Sequence, residues 1–176
     1  MMQHGPWQIL QRHEVYRDPW IQLHQDDVLR PDGQPGTFSV VHLKPGICAL
    51  AQQDELFYFT EEFHYGVGRS ALEGVSGGIE AGEEPLDTAR REMVEELGIE
   101  ARQWIDLGSV DPFTTSIVSP TRLFLARDLQ LGPQQLESTE RIRRVELSCD
   151  EAFQRVLDGR ITHALTCLLI LRARLC

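Results

Sequence analysis

A glycine-rich loop that leads into a carboxylate-rich helix constrains this chain more than any other feature. Residues 77–99 read GGIEAGEEPLDTARREMVEELGI. Pro85 suits the first position of a helix, where its missing N–H costs nothing, and Gly98 suits the residue just past the end. Positions that share one face at roughly 100° per residue are apolar: Leu86, Ala89, Met93 and Leu97. The pattern predicts an amphipathic helix that begins at Pro85 and ends before Gly98.

The same helix carries acidic residues on another flank. Glu92, Glu95 and Glu96 are neighbours there, and like charges at such spacing repel by roughly a few tenths of a kcal/mol per pair. A divalent cation would compensate, and hard oxygen ligands without a nearby His–Cys set favour Mg²⁺, with Mn²⁺ possible, over Zn²⁺. Arg91 can orient one of these carboxylates by a charge-assisted hydrogen bond. The plain alternative, a solvated acidic helix face, does not account for the preceding glycine-rich loop.

The loop and helix together carry a recognisable signature. The positions that have the identity and spacing of the Nudix hydrolase signature are Gly77, Glu83, Arg91, Glu92, Glu95, Glu96 and Gly98. Met93 and Ile99 occupy the two sites that require only an apolar residue. The chain therefore resembles a Nudix enzyme. This resemblance implies an α/β fold, an α/β/α sandwich around a mixed sheet, and Mg²⁺-dependent hydrolysis of a diphosphate bond without a covalent enzyme intermediate.

Beyond the signature, the chain is similar to the ADP-ribose and nucleoside-diphosphate-sugar pyrophosphatase branch of this family. Residues 1–43 match its N-terminal strand extension, a possible dimerisation segment, and residues 44–176 match its Nudix domain. Glu73-Gly74-Val75-Ser76-Gly77 stands where these enzymes read Glu-x-Pro-Ala-Gly, and the stretch from Glu140 through Asp158–Ile161 matches in register. The resemblance implies an antiparallel N-terminal extension, a homodimer, and a nucleoside monophosphate and a sugar phosphate as products.

Residue roles follow from the resemblance, position by position. Glu92, Glu96 and the backbone carbonyl of Ser76 stand where metal ligands are expected, and Glu95 is a ligand or a candidate base. The loop acid near the metals is Glu140. An acid two residues earlier often serves as the base, but that position holds Ser138, with Glu137 one step away. The base assignment therefore stays open between the helix and this loop.

Four further residues are candidates for contact with the substrate. Glu73 is expected to bind the substrate or an additional metal ion, and Arg69 to bind a phosphate. His64 is expected to contact a base or a phosphate, with a structural histidine as the alternative. Trp20 lies near the family aromatic that stacks on the base, often across a dimer, and its alternative is packing within the N-terminal sheet.

The preferred substrate stays open at this stage. Where ADP-ribose enzymes carry a Pro-Gly marker the chain has Thr114-Thr115, and a Gln-x-Arg element appears as Glu62-Phe63-His64. ADP-ribose and a nucleoside-diphosphate hexose are both retained. Two other functions are alternatives: a house-cleaning nucleoside triphosphate pyrophosphatase, and a non-catalytic Nudix sensor that binds a nucleotide sugar.

The remaining sequence agrees with a mixed-sheet protein. Alternating or apolar runs predict strands within residues 8–30 and at 37–43, 47–51, 56–60, 104–110, 123–129 and 142–147. A turn cluster separates the first two segments at Pro31–Gly36. Ser148 with Glu151 forms a capping-box pattern ahead of a helix that stops at Gly159, and Thr162 is predicted to begin a final leucine-rich helix.

The net charge and the cysteines limit the partners and the cellular compartment that we expect. The net charge of −10 argues against nucleic acid and anionic membrane as partners. The cysteines show no metal-binding or disulfide pattern and are interpreted as packing residues in a reducing compartment: Cys48, Cys149, Cys167 and Cys176. The N-terminal residues lack an apolar signal core. We therefore expect a cytoplasmic protein.

Overall fold

The computed structural model describes residues 1–175 of the 176-residue chain. It divides into two compact units. The first joins Met1–Pro45 to Phe113–Pro120, and the second comprises Gly46–Pro112 together with the chain from Thr121 onward. The first unit thus contains the predicted N-terminal extension and, in addition, a short segment from much later in the sequence.

Over the described residues the chain forms twelve strands and three helices. In chain order they are β1 (Met2–His4), β2 (Trp7–Arg17), β3 (Ile21–Leu29), β4 (Pro35–Leu43), β5 (Gly46–Gln53), β6 (Leu56–His64), β7 (Arg69–Glu73), β8 (Val75–Gly78), α1 (Pro85–Leu97), β9 (Ile99–Val110), β10 (Ile117–Val118), β11 (Thr121–Leu131), β12 (Arg143–Ser148), α2 (Cys149–Leu157) and α3 (Ala164–Ala173).

The N-terminal unit is a five-stranded sheet in the order β1-β2-β3-β4-β10. Its first four strands are antiparallel neighbours, as predicted for the extension, and the short β10 pairs parallel with β4. Between β3 and β4 the chain reverses through a turn in which the Gln34 carbonyl accepts from the Arg30 N–H at 2.9 Å. Gly33 in this turn has a φ of 79°, which glycine adopts without strain.

One face of this sheet carries an ion pair between a buried acid, Asp26, and an exposed arginine, Arg12. The Asp26 carboxylate accepts two hydrogen bonds from the Arg12 guanidinium, at 2.7 and 2.9 Å. Arg12 holds the pKa of the buried Asp26 below its usual value, mainly through these hydrogen bonds. The pair borders a cavity of about 570 Å³ that Trp7 and Phe38 also line. Pairing is what allows a carboxylate to stay ionised at a buried position.

The second unit contains a seven-stranded mixed sheet. Its main path runs β12-β6-β5-β11-β9, with β7 paired to β6 and β8 paired to β5. Strand β5 is parallel to β11, and every other recorded pair in this sheet is antiparallel. This arrangement places β8, which precedes the acidic helix, directly beside the central strand β5.

Alternation along β5 explains why helices cover both faces of this sheet. Ile47, Ala49 and Ala51 belong to a buried cluster that includes residues of α1. Cys48 and Leu50 belong to a second cluster that includes residues of α2 and α3. Successive side chains of a strand point to opposite faces, so each face is covered by a different helical layer. The predicted α/β/α sandwich around a mixed sheet is confirmed.

Helix α1 has the limits that its sequence predicts. It begins at Pro85 and ends at Leu97, and Gly98 follows in the left-handed conformation with a φ of 64°. The Gly98 N–H donates to the Val94 carbonyl at 2.9 Å, which satisfies one of the carbonyls at the helix end. The apolar stripe is buried as expected, with Ala89, Met93 and Leu97 fully inaccessible to solvent.

Gly98 has a second reason to be glycine, and alanine there is expected to destabilise the fold. An added Cβ would lie 2.5 Å from the Gly132 carbonyl oxygen and equally close to Pro133, both of which are backbone groups. We expect Gly98→Ala to lower the free energy of unfolding by about 2–4 kcal/mol, through the positive φ and the clash together. Chemical denaturation measures this loss.

Gly159→Ala is the matched control for this substitution. Gly159 has a φ of 77° and no atom within 4 Å of an added Cβ. Only the conformational cost applies there, about 1 kcal/mol. Equal losses at the two glycines would contradict the role given to the backbone contact.

Most predicted elements are present, with corrections at short segments. The Ser148 side chain accepts from the Glu151 N–H at 3.1 Å and caps α2, as predicted. Helix α3 begins at Ala164 rather than at Thr162, because His163 adopts the extended conformation of an N-cap residue. Strands β7 and β8 were not predicted. Both are short and rich in small residues, so they lack the apolar alternation that signals a strand.

The structure describes three of the four cysteines that were predicted to be packing residues. Cys48, Cys149 and Cys167 are free thiols, and Cys48 is completely buried in the core. Burial raises the pKa of Cys48 to about 12, so this thiol stays protonated. Cys176 lies outside the described residues. Among the residues that the structure describes, no helix has both the length and the apolar character needed to span a bilayer.

Candidate active site

Arg91 gathers the acidic residues of α1 and the preceding loop. Its Nη1 donates to Glu92 at 2.9 Å and to Glu95 at 3.0 Å, and its Nε donates to Glu83 at 3.1 Å. The hydrogen bonds from Arg91 and Thr88 lower the pKa of Glu83 to about 2. The predicted hydrogen bond from Arg91 to a carboxylate is present, and Arg91 contacts three carboxylates rather than one.

Glu96 is the most buried carboxylate of the helix. Its residue is only 9% exposed, although glutamates are rarely buried without a partner. Burial raises the pKa of Glu96 to about 9, and the nearby charges of Glu92, Glu140 and Glu62 act in the same direction. Burial likewise raises the pKa of Glu92. Several acidic groups thus compete for one poorly solvated region, an arrangement that a bound cation would relieve.

Strand β8 fits closely against this acidic group. An added Cβ on Gly77 would lie 2.2 Å from the Glu92 Oε1 atom, so only glycine leaves room for that carboxylate. One residue earlier, the Ser76 backbone N–H donates to the Glu96 carboxylate. Register with β5, in which Ser76 lies opposite Cys48, fixes this approach. The loop glycine of the signature is therefore a steric requirement of the helix carboxylates.

The loop before β12 brings a further acid to the site. The Gln135 N–H donates to the Glu95 carbonyl at 2.9 Å, which ties this loop to the end of α1. Glu140 accepts from the Glu137 N–H at 2.8 Å, and its charge contributes to the raised pKa of both Glu92 and Glu96. Of the two predicted loop acids, Glu140 is thus the one whose carboxylate acts on the helix cluster.

Glu73 and His64, two of the predicted substrate contacts, lie together. The Glu73 Oε1 atom is 3.1 Å from His64 Nε2, and its Oε2 atom is 3.2 Å from Nδ1 of His163. Arg69 donates to the Thr162 hydroxyl at 2.8 Å. Both glutamates, Glu73 and Glu96, raise the pKa of Cys48 through their charge, so each lies near that thiol.

Trp20 belongs to the N-terminal unit and lies immediately before β3. Its residue is 70% exposed, so the alternative of an aromatic packed within the sheet does not describe it. The Trp20 backbone N–H donates to the Asp18 carboxylate at 2.8 Å, which fixes the tight turn that presents the ring. An exposed indole in a fixed turn is available for stacking.

The donor set fits a hard divalent cation. The acidic residues of the cluster offer carboxylate oxygens and β8 offers backbone oxygens, and such ligands suit Mg²⁺, Mn²⁺ or Ca²⁺. Within residues 1–175, no three His, Cys, Asp or Glu side chains already converge on one metal position. Arg91 meanwhile occupies oxygens of Glu92 and Glu95. The chain thus provides oxygen ligands of suitable chemistry, but the described side chains do not form a complete coordination shell.

Sequence reasoning missed some residues of this region. Glu62 adds its charge to the Glu96 environment, and His163 and Thr166 join the group around Glu73. Glu62 was noted only as part of a departure from a family element. His163 and Thr166 lie about 90 residues further along the chain from Glu73, and no local pattern announces that long-range contact.

Comparisons with known proteins agree with the geometry. Residues 42–164 match the NUDIX domain, and residues 7–41 match the nucleoside diphosphate sugar hydrolase N-terminal domain. The chain belongs to the Nudix family, whose hydrolases generally use divalent metal ions. More particularly, the two matches in succession make it a Nudix hydrolase of the nucleoside-diphosphate-sugar class.

Individual relatives cover nearly the whole chain. A methanol dehydrogenase activator of Bacillus methanolicus is 27% identical over 167 residues, which is 92% of this chain and 89% of that protein. An ADP-ribose pyrophosphatase of Bacillus subtilis (strain 168) is 27% identical over 161 residues, 88% of this chain and 85% of that protein. A crystal structure of an ADP compounds hydrolase, 18% identical, superposes with a TM-score of 0.85 over 99% of this chain and 95% of that one. This last likeness confirms the fold.

Proposed function

We propose that the protein hydrolyses the diphosphate bond of ADP-ribose or a nucleoside-diphosphate hexose, with Mg²⁺ as its metal and Mn²⁺ as a substitute. The products are a nucleoside monophosphate and a sugar phosphate. The observation that supports this most is the crowded carboxylate group of Glu92, Glu96 and Glu140 beside the loop glycine. Bound divalent ions there would neutralise the diphosphate and stabilise charge on the attacking and leaving oxygens.

The residues of the cluster have separate tasks in this proposal. Glu92, Glu96 and the carbonyl of Ser76 hold the metal, with Glu95 as a further ligand or a base. Arg91 keeps Glu92 and Glu95 in place through its hydrogen bonds. Burial of Glu96 supports a ligand role, because an ionised carboxylate at a nearly inaccessible position needs a cation beside it.

Glu140 is the proposed general base, and its replacement tests the loop assignment. We expect Glu140→Gln to lower kcat by roughly 10²-fold, the usual contribution of a positioned base, because its carboxylate lies near Glu92 and Glu96. Glu137→Gln is the matched control and is expected to change kcat less than about threefold. Steady-state kinetics with one substrate measures both. If neither variant is impaired, the base lies on α1, and Glu95 becomes the candidate.

The substrate end of the site is assigned to the residues around β6 and β7. Glu73 is proposed to contact the sugar or base, with His64 beside its carboxylate, and Arg69 a phosphate. Trp20 is proposed to stack on the base, and its exposure supports this role. The B. subtilis relative named an ADP-ribose pyrophosphatase favours ADP-ribose, whereas Thr114-Thr115 in place of the Pro-Gly marker favours a hexose.

A substrate panel tests the proposed function. Purified protein with Mg²⁺ is incubated with ADP-ribose, GDP-mannose, UDP-glucose, ADP-glucose and nucleoside triphosphates, and a coupled phosphatase releases phosphate from monoester products. We expect turnover of at least one nucleotide sugar and little phosphate from the triphosphates. Turnover of triphosphates alone would replace this function by the house-cleaning alternative. Binding without turnover would support the sensor.

The oligomeric state and the cellular location of the protein are also proposed. A homodimer through residues 1–43 is proposed on the family resemblance, and light scattering of the purified protein tests it directly. A cytoplasmic location is proposed because Cys48, Cys149 and Cys167 are free thiols, which a reducing compartment preserves. The net charge of −10 supports a small-molecule substrate over nucleic acid as the partner.

A further inference from the structure

The Glu73 carboxylate is enclosed between two imidazole rings that come from different parts of the chain. His64 lies at the end of β6, and His163 caps the start of α3. Each ring approaches a different oxygen of the carboxylate, at 3.1 Å from His64 Nε2 and 3.2 Å from His163 Nδ1. The sequence did not predict that either histidine contacts Glu73.

Hydrogen-bond chemistry fixes which ring nitrogens carry protons. An ionised carboxylate only accepts hydrogen bonds, so the nitrogen facing it must carry the hydrogen. His163 therefore bears its proton on Nδ1 and His64 on Nε2. Burial lowers the pKa of His163, which keeps that ring neutral near pH 7. Each ring thus turns one N–H group toward Glu73, and His163 shares its group with the Thr166 hydroxyl oxygen, which is the nearer acceptor.

A buried threonine anchors this group to the sheet. His163 Nδ1 also lies 2.8 Å from the Thr166 hydroxyl oxygen. That oxygen, which is fully buried, accepts from the backbone N–H of Gly74 at 2.8 Å. Glu73 is therefore held through its side chain by His163, and its neighbour in the chain is held by the same turn of α3. Because Glu73 is contacted at its side chain and the next residue is hydrogen-bonded to the same helix, the carboxylate has little freedom to move.

The Glu73 carboxylate retains capacity to bind a ligand. A carboxylate offers about four acceptor positions on its two oxygens, and the two imidazoles occupy only two of them. The Glu73 side chain is 16% exposed, so it can be reached from solvent. One free position remains on each oxygen, and two adjacent hydroxyl groups are donors of matching spacing. Nucleoside-diphosphate sugars carry such hydroxyl pairs.

We propose that His64 and His163 are positioning residues that hold Glu73 so that its two oxygens accept hydrogen bonds from sugar hydroxyls of the substrate. This inference rests on the proposed function, since it assigns Glu73 to substrate contact. Preorganising the carboxylate reduces the freedom that is lost on binding, so the clamp contributes to substrate affinity. Other residues carry out the diphosphate chemistry, so kcat is largely independent of the clamp.

Paired substitutions separate positioning from mere packing. His163→Leu removes the N–H, whereas His163→Asn places an amide N–H at the position of Nδ1. His64→Leu and His64→Gln form the equivalent pair for Nε2. We expect each leucine variant to raise KM by about tenfold, the scale of one lost hydrogen bond to a charged group, with kcat changed less than about threefold. The amide variants are expected to recover most of the affinity.

The hydroxyl assignment is tested with deoxy substrates. The nucleotide sugar that the wild type prefers is compared with one analogue that lacks a hydroxyl on the distal sugar and one that lacks it on the nucleoside ribose. In wild type one of these analogues is expected to bind more weakly, and in His163→Leu this difference is expected to disappear. The analogue that shows it identifies the sugar. A difference that persists in His163→Leu, or a wild type that binds both analogues as tightly as the parent compound, overturns the contact with hydroxyls.

The outcomes distinguish this inference from the proposed function. Unchanged KM in both leucine variants, or an amide variant as impaired as its leucine counterpart, overturns the clamp. If His163→Leu fails to fold, the pair of variants at the less buried His64 gives the same comparison. A wild type that binds nucleotide sugars without cleaving them overturns only the proposed function, and dissociation constants from calorimetry then replace KM. No binding at all overturns both.

Discussion

The Glu96→Gln variant is expected to lose about three orders of magnitude in kcat while keeping its fold. The buried Glu96 is the proposed metal ligand with the greatest need for a cation, because its pKa is raised to about 9 in the metal-free protein. An amide has nearly the shape of the neutral carboxyl group but is a weaker metal ligand. Removing one charge-stabilising element from a phosphoryl-transfer site costs roughly 10²–10³ in rate or more.

Two measurements check this expectation. Steady-state kinetics gives the loss in kcat, and calorimetric titration with Mg²⁺ gives the loss in metal affinity independently of activity. Glu100→Gln is the matched control, since Glu100 is an exposed acid four residues further along the chain. Near-normal turnover and Mg²⁺ affinity in Glu96→Gln would remove Glu96 from the metal site. A cooperative thermal transition close to that of the wild type shows that the fold is intact.

The Gly77→Ala variant is expected to be at least 100-fold less active, although nothing chemical is removed. The new Cβ would lie 2.2 Å from the Glu92 Oε1 atom and 2.4 Å from its Cδ atom. These atoms are at the end of a flexible side chain, so Glu92 can turn away at small cost in stability. Its carboxylate then leaves the cluster, and misplacement by about 1 Å is enough to cost roughly 10² in rate.

Gly66→Ala separates this steric effect from a general effect of losing glycine. Gly66 lies between β6 and β7, and an added Cβ meets no atom within 4 Å. We expect wild-type activity from the control and a thermal midpoint for Gly77→Ala within a few degrees of the wild type. An active Gly77→Ala enzyme would show that Glu92 is not required in its observed position. A large loss of stability would show instead that the backbone, rather than Glu92, gives way.

The segments with strong local signals were predictable from the sequence. Pro85 and Gly98 set the ends of α1 through rules that act within one turn of helix, and both ends are observed. The acidic group was predicted because Glu92, Glu95 and Glu96 have a helical spacing. The role of Gly77 in accommodating Glu92 was not predictable, since it depends on how β8 pairs with β5.

The substrate end illustrates the limit of local reasoning. Glu73 and His64 were named by resemblance, but their partner His163 was given no role. Its contact with Glu73 depends on α3 docking against the sheet, which no short-range pattern specifies. Strands β7 and β8, which position Glu73 and Gly77, were missed for a related reason. They pair with β6 and β5, but Val75 is their only β-branched residue and neither strand has an aromatic one.

The hydrogen bond from Gly74 to Thr166 joins residues that are 92 positions apart in the chain. A contact of such separation stabilises the fold only after the entropy of closing a long loop has been lost. The segment that carries the acidic helix can therefore acquire its local structure before α3 arrives. Any fluctuation that detaches α3 would release Glu73 while leaving the acidic helix in place. If Glu73 binds the sugar as proposed, nucleotide-sugar recognition depends on the cooperativity of the whole second unit as well as on the signature segment.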